Sequence, residues 1–350
     1  MLAAPAHLPE VLAAWGLEDA SVRPLGDGLI NLSFELRAPD GRRYALQRLH
    51  PVFPAQVNLD IDVVTRRLAA CGMQTPRLLR SRRGSLWLDA PDGCWRLLTW
   101  VGGETRQSLS APGEAREAGR LLARFHRCLD GLRHRFSNPR LGVHDTSRHL
   151  AALRNALARH WAHPQHAAVQ PLAERILAAA AALPRLPVTP DRIVHGDPKI
   201  NNMLFDPDSG AGIAMVDLDT VGQMPLPLEL GDALRSWCNP AGENEPGGEF
   251  DAGLFAAALQ GYLEVAGDAF RPEERQAVLP ATLTIIVELA ARFCADALEE
   301  CYFGWDRARF ASASEHNRLR AAGQLALARS LECQQARLQE IVSELLGVAA

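Results

Sequence analysis

The sequence predicts an α+β protein in two unequal lobes, and three observations carry that prediction. Short alternating segments separated by glycine- and proline-containing turns fill the first hundred residues. A Gly102-Gly103 pair then breaks the chain, and long stretches of helical spacing occupy most of the remainder. The boundary falls at residue 101, giving a β-rich N-terminal lobe over 1–101 and a helical C-terminal lobe over 102–350, each long enough to bury a core.

The first two strands, 22–25 and 32–36, flank a turn at 26–31. Pro39-Asp40-Gly41 supplies a second turn before a strand over 43–49, making a hairpin-like pair. Apolar spacing through Leu59, Val63, Val64 and Leu68 predicts a helix over 58–70, stopped by Gly72. Strands over 84–88 and 94–101 are joined by turn residues at 89–93. Beyond the glycine pair, helices are expected over 115–128, 150–160, 172–183, 250–265, 281–301 and 315–346. Two short strands, 193–195 and 211–218, are set among them.

Composition narrows the function classes. A net charge of −4 gives no electrostatic case for nucleic acid or an anionic membrane surface. The seven cysteines are scattered, without a CxxC pair or zinc-ligand spacing, as in a chain kept in a reducing compartment. No basic region precedes the early apolar residues, Glu10 interrupts them, and the apolar stretch 281–287 is too short to span a bilayer. A cytoplasmic location is therefore expected, with no membrane partner and a monomeric or homodimeric state.

One basic residue stands apart. Of 37 Lys and Arg residues, Lys199 is the sole lysine, and it lies in His195-Gly196-Asp197-Pro198-Lys199-Ile200-Asn201-Asn202. A compact ammonium on a flexible stem does a different job from a planar guanidinium fork, and a transferring phosphate suits the former. In this string Asp197 can be aimed at an acceptor hydroxyl while Asn202 offers an oxygen to a metal. Asp217, fifteen positions after Asn202, closes an apolar strand as Val216-Asp217-Leu218-Asp219. Magnesium takes hard oxygen ligands and completes its shell with phosphate and water, so Asn202 plus Asp217 would suffice. Asp219, one strand period further, is expected to point the same way and assist. Each fragment alone has an ordinary explanation: Asp-Pro is a common turn, a strand-end aspartate is commonly a cap, and codon usage can leave one lysine.

Taken together, these strings resemble the catalytic and metal loops of the aminoglycoside phosphotransferase/choline kinase superfamily, which shares the protein-kinase fold. The resemblance implies a bilobal protein-kinase-like fold that uses ATP and Mg²⁺. It implies Asp197 as catalytic base, Lys199 approaching the γ-phosphate, and Asn202 and Asp217 as metal ligands. It places Gly28 and Asn31 in the phosphate-covering loop, and Thr99 and Val101 in a hinge over 97–103 whose backbone binds adenine. Four segments, at 44–49, 143–148, 216–221 and 292–303, are more similar to a sugar 1-kinase branch typified by N-acetylhexosamine 1-kinase. The sequence departs from that branch at Val143 and around 224–230 and 236–249.

A further departure concerns charge. Kinases of this fold carry a lysine on the third strand, and here Gln47 stands in its place, with Arg48 adjacent but facing the other way in a regular strand. Phosphate charge is then left to the metal, to loop amides and to Arg48. On the acceptor side the resemblance points to Arg292 and Tyr302; Asp296, on one helix face with Glu288, Arg292 and Glu299, and Asp145, beside His144, are further candidates. The alternative for Asp145 is a helix cap, and for Arg292 and Asp296 an exposed helix face with i,i+4 ion pairs. The expected acceptor is a small hydroxylated molecule, a sugar or amino sugar phosphorylated at its anomeric hydroxyl. An aminoglycoside-, choline- or homoserine-type substrate and a catalytically silent nucleotide-binding regulator stay open. A protein substrate is disfavoured, because only fifteen positions separate Asp217 from Asp232, too few for a long peptide-docking segment.

Overall fold

Six strands of the first hundred residues form one antiparallel sheet. The computed structural model describes residues 5, 7–26, 31–139 and 142–347. After helix α1 (Leu8–Trp15) come β1 (Ser21–Pro24), β2 (Leu32–Arg37) and β3 (Arg43–Arg48), then α2 (Val57–Ala70), β4 (Leu78–Leu79), β5 (Leu88–Ala90) and β6 (Gly93–Thr99). The strand order is β1-β2-β3-β6-β4, with β5 pairing β6. Alternation along the strands sorts side chains to two faces. Phe34, Leu36, Leu46, Trp95 and Leu97 pack with Leu8, Val11 and Leu12 of α1 on one face. Leu98 joins the larger core on the other, with Ala45 packed against it. That second face also carries Gln47 and Arg96, directly across from each other on β3 and β6.

The helical part comprises α3 (Pro112–Leu129), α4 (Thr146–Arg159), α5 (His166–Ala181), β7 (Asp191–Val194), β8 (Met203–Phe205), β9 (Gly212–Met215), β10 (Gly222–Pro225), α6 (Leu226–Trp237), α7 (Ala252–Ala266), α8 (Pro272–Glu299), α9 (Ala313–Cys333) and α10 (Gln335–Leu346). Two small antiparallel pairs, β7 with β10 and β8 with β9, hold the loops that carry the motifs. The sheet part meets the helical part where the backbone of Glu104 bridges Phe205.

Several expected bounds shift. Residues 84–87 form no strand: Gly84 takes φ +80 and closes a turn back on Ser81, and β5 starts only at Leu88. The expected helix over 281–301 begins nine residues earlier, at Pro272, and runs through Pro280. By length and composition α8 could cross a membrane, but 83% of its most apolar stretch is buried in the protein, as befits a central core helix. The expected helix over 315–346 is two helices that divide at Gln334. All seven cysteines are free thiols.

Candidate active site

The loop after β7 is built to hold its main chain still. Gly196 takes φ +82, and a Cβ there would sit 2.2 Å from the carbonyl oxygen of Thr220. The buried Glu229 of α6 accepts the N–H groups of His195 and Gly196, both at 2.9 Å. His195 donates from Nε2 to the carbonyl of Val216 at 2.9 Å, and burial pushes its pKa down, so the ring works as a neutral strut. Trp237 Nε1 donates to the carbonyl of Pro198, and Ser236 Oγ accepts the N–H of Ile200. Gly196→Ala is therefore expected to destabilise the protein by about 3 kcal/mol or more, from left-handed strain and the carbonyl clash together. Urea unfolding monitored by tryptophan fluorescence would read this, and unchanged stability would show that the loop can relax.

On that frame Lys199 Nζ lies 2.6 Å from Asp197 Oδ2, with the two side chains 31% and 24% exposed to the cleft. Asn202 Nδ2 donates to the Asp197 carbonyl at 2.9 Å and to Asp197 Oδ2 at 3.1 Å. Burial alone would raise the Asp197 carboxyl, but the ammonium of Lys199 outweighs it and holds the group below its usual range. For Lys199 burial works downward, and the charges of Asp197 and Asp217 outweigh it, so the ammonium is held above its usual range. Asp197 is thus ionised and Lys199 charged at neutral pH.

Asp217 comes directly after β9 and Val216 with φ 61 and ψ 57, a left-handed conformation that aspartate tolerates better than most residues. The N–H of Val216 is tied to the Asn202 carbonyl at 2.9 Å, which sets Asp217 and Asn202 beside one another. Among the described residues no hydrogen bond or ion pair engages the Asp217 carboxylate. Burial first, and the neighbouring Asp219 second, push its pKa up to about 7. A desolvated carboxylate that faces a cleft, and whose pKa stays raised despite the charges of Lys199 and Arg96, is what a divalent cation would stabilise. Since Asn202 spends its Nδ2 on Asp197, its side-chain oxygen is left to serve as a second hard ligand. The pair fits magnesium. The described residues hold no group of three or more His, Cys, Asp or Glu that could bind a metal, so phosphate and water would supply the remaining ligands.

Asp219 is not part of this set. The left-handed turn at Asp217 and the 3₁₀ turn at Leu218–Thr220 break the strand period, so Asp219 faces inward. There it is 1% exposed and makes a two-pronged ion pair with Arg96, at 2.5 and 2.9 Å, while Asn31 Nδ2 donates to it at 2.5 Å. Asn31 thus links the sheet to the turn after β9; Gly28 lies outside the described residues. Arg48 faces away from the cleft, pairing with Asp92 at 3.3 Å beside the Trp95 ring, because strand alternation holds across β3. Gln47 does face the cleft, where its Oε1 accepts from Arg96 Nε and Nη2 at 2.9 and 2.7 Å. The buried cation beside Gln47 is Arg96, one strand over from the position where the third-strand lysine was expected. Sequence reading missed it. The available signal was an arginine inside the apolar run Cys94-Trp95-Arg96-Leu97-Leu98.

The cleft has a volume of about 1670 Å³, and Thr99, Val101, Asp197, Lys199, Asn202 and Asp217 all line it. Its far wall is formed by Arg292 of α8 with Tyr302, Phe303 and Trp305. Arg292 lies 5.8 and 5.6 Å from the Tyr302 and Phe303 rings and has no hydrogen bond or ion pair among the described residues. Two expected acceptor ligands are instead structural. Asp145 caps α4, accepting the N–H of Arg148 at 3.0 Å. Asp296 is buried and accepts the N–H groups of Cys301, Tyr302 and Phe303 at 3.0, 2.9 and 2.9 Å, together with Asn317 Nδ2. It shapes the aromatic wall without facing the cleft.

A two-lobed α+β fold with these loops meeting in the cleft is that of a protein-kinase-like phosphotransferase. The sequence profile of the phosphotransferase enzyme family, APH, matches residues 21–269, and the chain belongs to that family. Its fold is similar to an aminoglycoside phosphotransferase from Alicyclobacillus acidocaldarius, at 18% identity and TM-score 0.63 over 98% of both chains. It is also similar to a microcompartment-associated aminopropanol kinase, at 16% identity and TM-score 0.60 over 95% of this chain and 97% of that one. An amicoumacin kinase solved with AMP-PNP, Ca²⁺ and Ami matches at 13% identity and TM-score 0.60, over 91% and 92% of the two chains.

Proposed function

We propose that the protein is a kinase that transfers the γ-phosphoryl group of ATP to a hydroxyl of a small molecule lacking a basic amine, a sugar at its anomeric hydroxyl. One observation carries the kinase reading: Asp197, Lys199, Asn202 and Asp217 converge on one cleft large enough for a nucleotide and an acceptor together. Asp197 orients the acceptor hydroxyl and takes its proton as the oxygen attacks in line. Lys199 leaves Asp197 for the γ-phosphate when nucleotide binds, so the base is freed as the phosphate arrives. Asn202 and Asp217 would hold Mg²⁺, which neutralises charge on the phosphate oxygens. Thr99 and Val101 would meet the adenine end of the nucleotide, and the network of Gln47, Asn31 and Arg96 would back its phosphate end.

The acceptor wall supports the sugar side of this reading. An amine acceptor is held by a carboxylate or by aromatic faces; on this wall Glu288, Asp232 and Glu243 already have side-chain partners, and Asp306 accepts the N–H of Ala308 at 2.9 Å. Glu288 binds His144 Nδ1 at 2.8 Å and Thr146 Oγ1 at 2.7 Å, and Asp232 and Glu243 both bind Arg235. Among the described residues Arg292 has no hydrogen-bond or ion-pair partner, and a guanidinium stacked on rings keeps its in-plane donors for sugar oxygens. ADP release over matched acceptors tests this, with N-acetylglucosamine against glucosamine, glucuronate against glucose, and ethanolamine and an aminoglycoside alongside. Mg²⁺-dependent turnover is expected for the sugars without an amine, at least about tenfold above the amines. A preference for an amine would sink the acceptor reading. Stabilisation by MgATP with no turnover on any acceptor would instead make the protein a nucleotide-binding regulator.

A further inference from the structure

We propose that Arg96 and Asp219 are positioning residues that set the metal loop against the nucleotide sheet, replacing the third-strand lysine this chain does not have. The inference rests on the phosphotransferase reading above and adds to it the device that aligns the site across the two lobes.

The five N–H groups of Arg96 are all committed. Nε and Nη2 donate to Gln47 Oε1, Nη1 and Nη2 to the two oxygens of Asp219, and Nη1 also to Asn58 Oδ1 at 3.3 Å. Arg96 therefore binds at once to β3, to α2 and to the turn after β9. A lysine has three donors on one atom and cannot reproduce that fork. Nor does Arg96 keep a donor for phosphate, so its role is to hold other groups in place. From Asp219 the network continues through Asn31 Nδ2, while Asn31 Oδ1 accepts the N–H of His50 at 2.9 Å. Gln47 extends it the other way, donating to Ser33 Oγ at 3.0 Å. One buried ion pair thus ties three strands and a helix of the sheet part to a turn of the helical part.

The turn it holds is the one that aims Asp217. Among the described residues nothing hydrogen-bonds the Asp217 carboxylate, so its main chain is what directs it there. That main chain is pinned before it by the Val216–Asn202 bond and after it by Asp219. Arg96 and Asp219 are 2% and 1% exposed. Fully buried ion pairs bring little net stability over an apolar pair of similar size, and their best-attested use is fixing one arrangement among several. Placed two residues from a metal ligand, this pair sets the position of that ligand.

The test is Mn²⁺ binding in the presence of AMP-PNP, read by electron paramagnetic resonance, alongside thermal melting and Mg²⁺ dependence of turnover. The double variant Arg96→Met/Asp219→Leu replaces the pair by apolar side chains. It leaves Gln47 Oε1, Asn58 Oδ1 and Asn31 Nδ2 without these partners, so it is expected to melt below the parent. While folded it is expected to bind Mn²⁺ about tenfold more weakly, as loss of an outer support to a metal ligand does. Parent-like Mn²⁺ affinity in the folded double variant would reduce the pair to packing and overturn the proposal. If the double variant fails to fold, Arg96→Lys decides. It keeps the charge and loses the fork, so weaker Mn²⁺ binding supports the proposal and unchanged binding overturns it. Should the parent protein bind no Mn²⁺ with nucleotide, the phosphotransferase reading itself fails, an outcome separate from any difference between variants.

Discussion

Replacing Asp197 by asparagine is expected to lower kcat by about two to four orders of magnitude, with nucleotide affinity little changed. The substitution is nearly isosteric, so the bracing by Glu229, Ser236 and Trp237 stays in place and the loop keeps its shape. What is lost is the ionised oxygen that takes the acceptor proton, which Lys199 keeps charged at neutral pH. ATP affinity should hold or rise slightly, because a negative charge near the γ-phosphate is removed. Single-turnover rates paired with nucleotide titration separate the two quantities. A parent-like rate would show that another group serves as base, and a large loss of nucleotide affinity would place Asp197 on the metal instead.

Much of this site was legible in the sequence because its chemistry is contiguous. Asp197, Lys199 and Asn202 lie within six positions, so a loop of any reasonable shape brings them near one another. The strands at 32–36 and 43–49 were readable from alternation, and observed β2 and β3 match them to within a residue. What escaped depends on backbone geometry or on pairing across long separations. The strand period predicted Asp219 beside Asp217, and one left-handed residue turned it inward. Arg96 meets Asp219 across 123 positions, and its place opposite Gln47 comes from a strand register that no local pattern encodes.

Asp145 and Asp296 illustrate a different limit. A carboxylate near a pocket reads as a ligand, but a carboxylate is equally suited to collect backbone N–H groups at a helix start or a tight turn. Which task it performs depends on whether donors lie within reach, and that is settled by the fold. Arg292 was ambiguous in the same sense. Its helix could have supplied an i,i+4 partner, but Glu288 is taken by His144 and Thr146, and Asp296 by the 301–303 main chain. Among the described residues the guanidinium is without a partner because its candidates were claimed by other elements.

Lys199→Arg, which conserves charge, is expected to lower kcat about a hundredfold, the loss expected when a reacting group is displaced by about an ångström. In the resting site Nζ lies 2.6 Å from Asp197 Oδ2, a single contact that phosphate can break. A guanidinium in the same place would engage both carboxylate oxygens at once, and such bidentate pairs are stronger and directional. It would hold Asp197 when the phosphate arrives, and its longer planar head would crowd Asn202, which donates to the same oxygen. Lys199→Met separates charge from shape, since it removes the ammonium without adding a fork. Arginine is expected to rescue little of the methionine defect, an unusual outcome in a chain whose other 36 basic residues are arginine. Phosphoryl transfer measured by rapid quench for the three proteins decides the matter. If arginine restores the parent rate, net charge is all the position supplies, and the solitary lysine is an accident of the sequence.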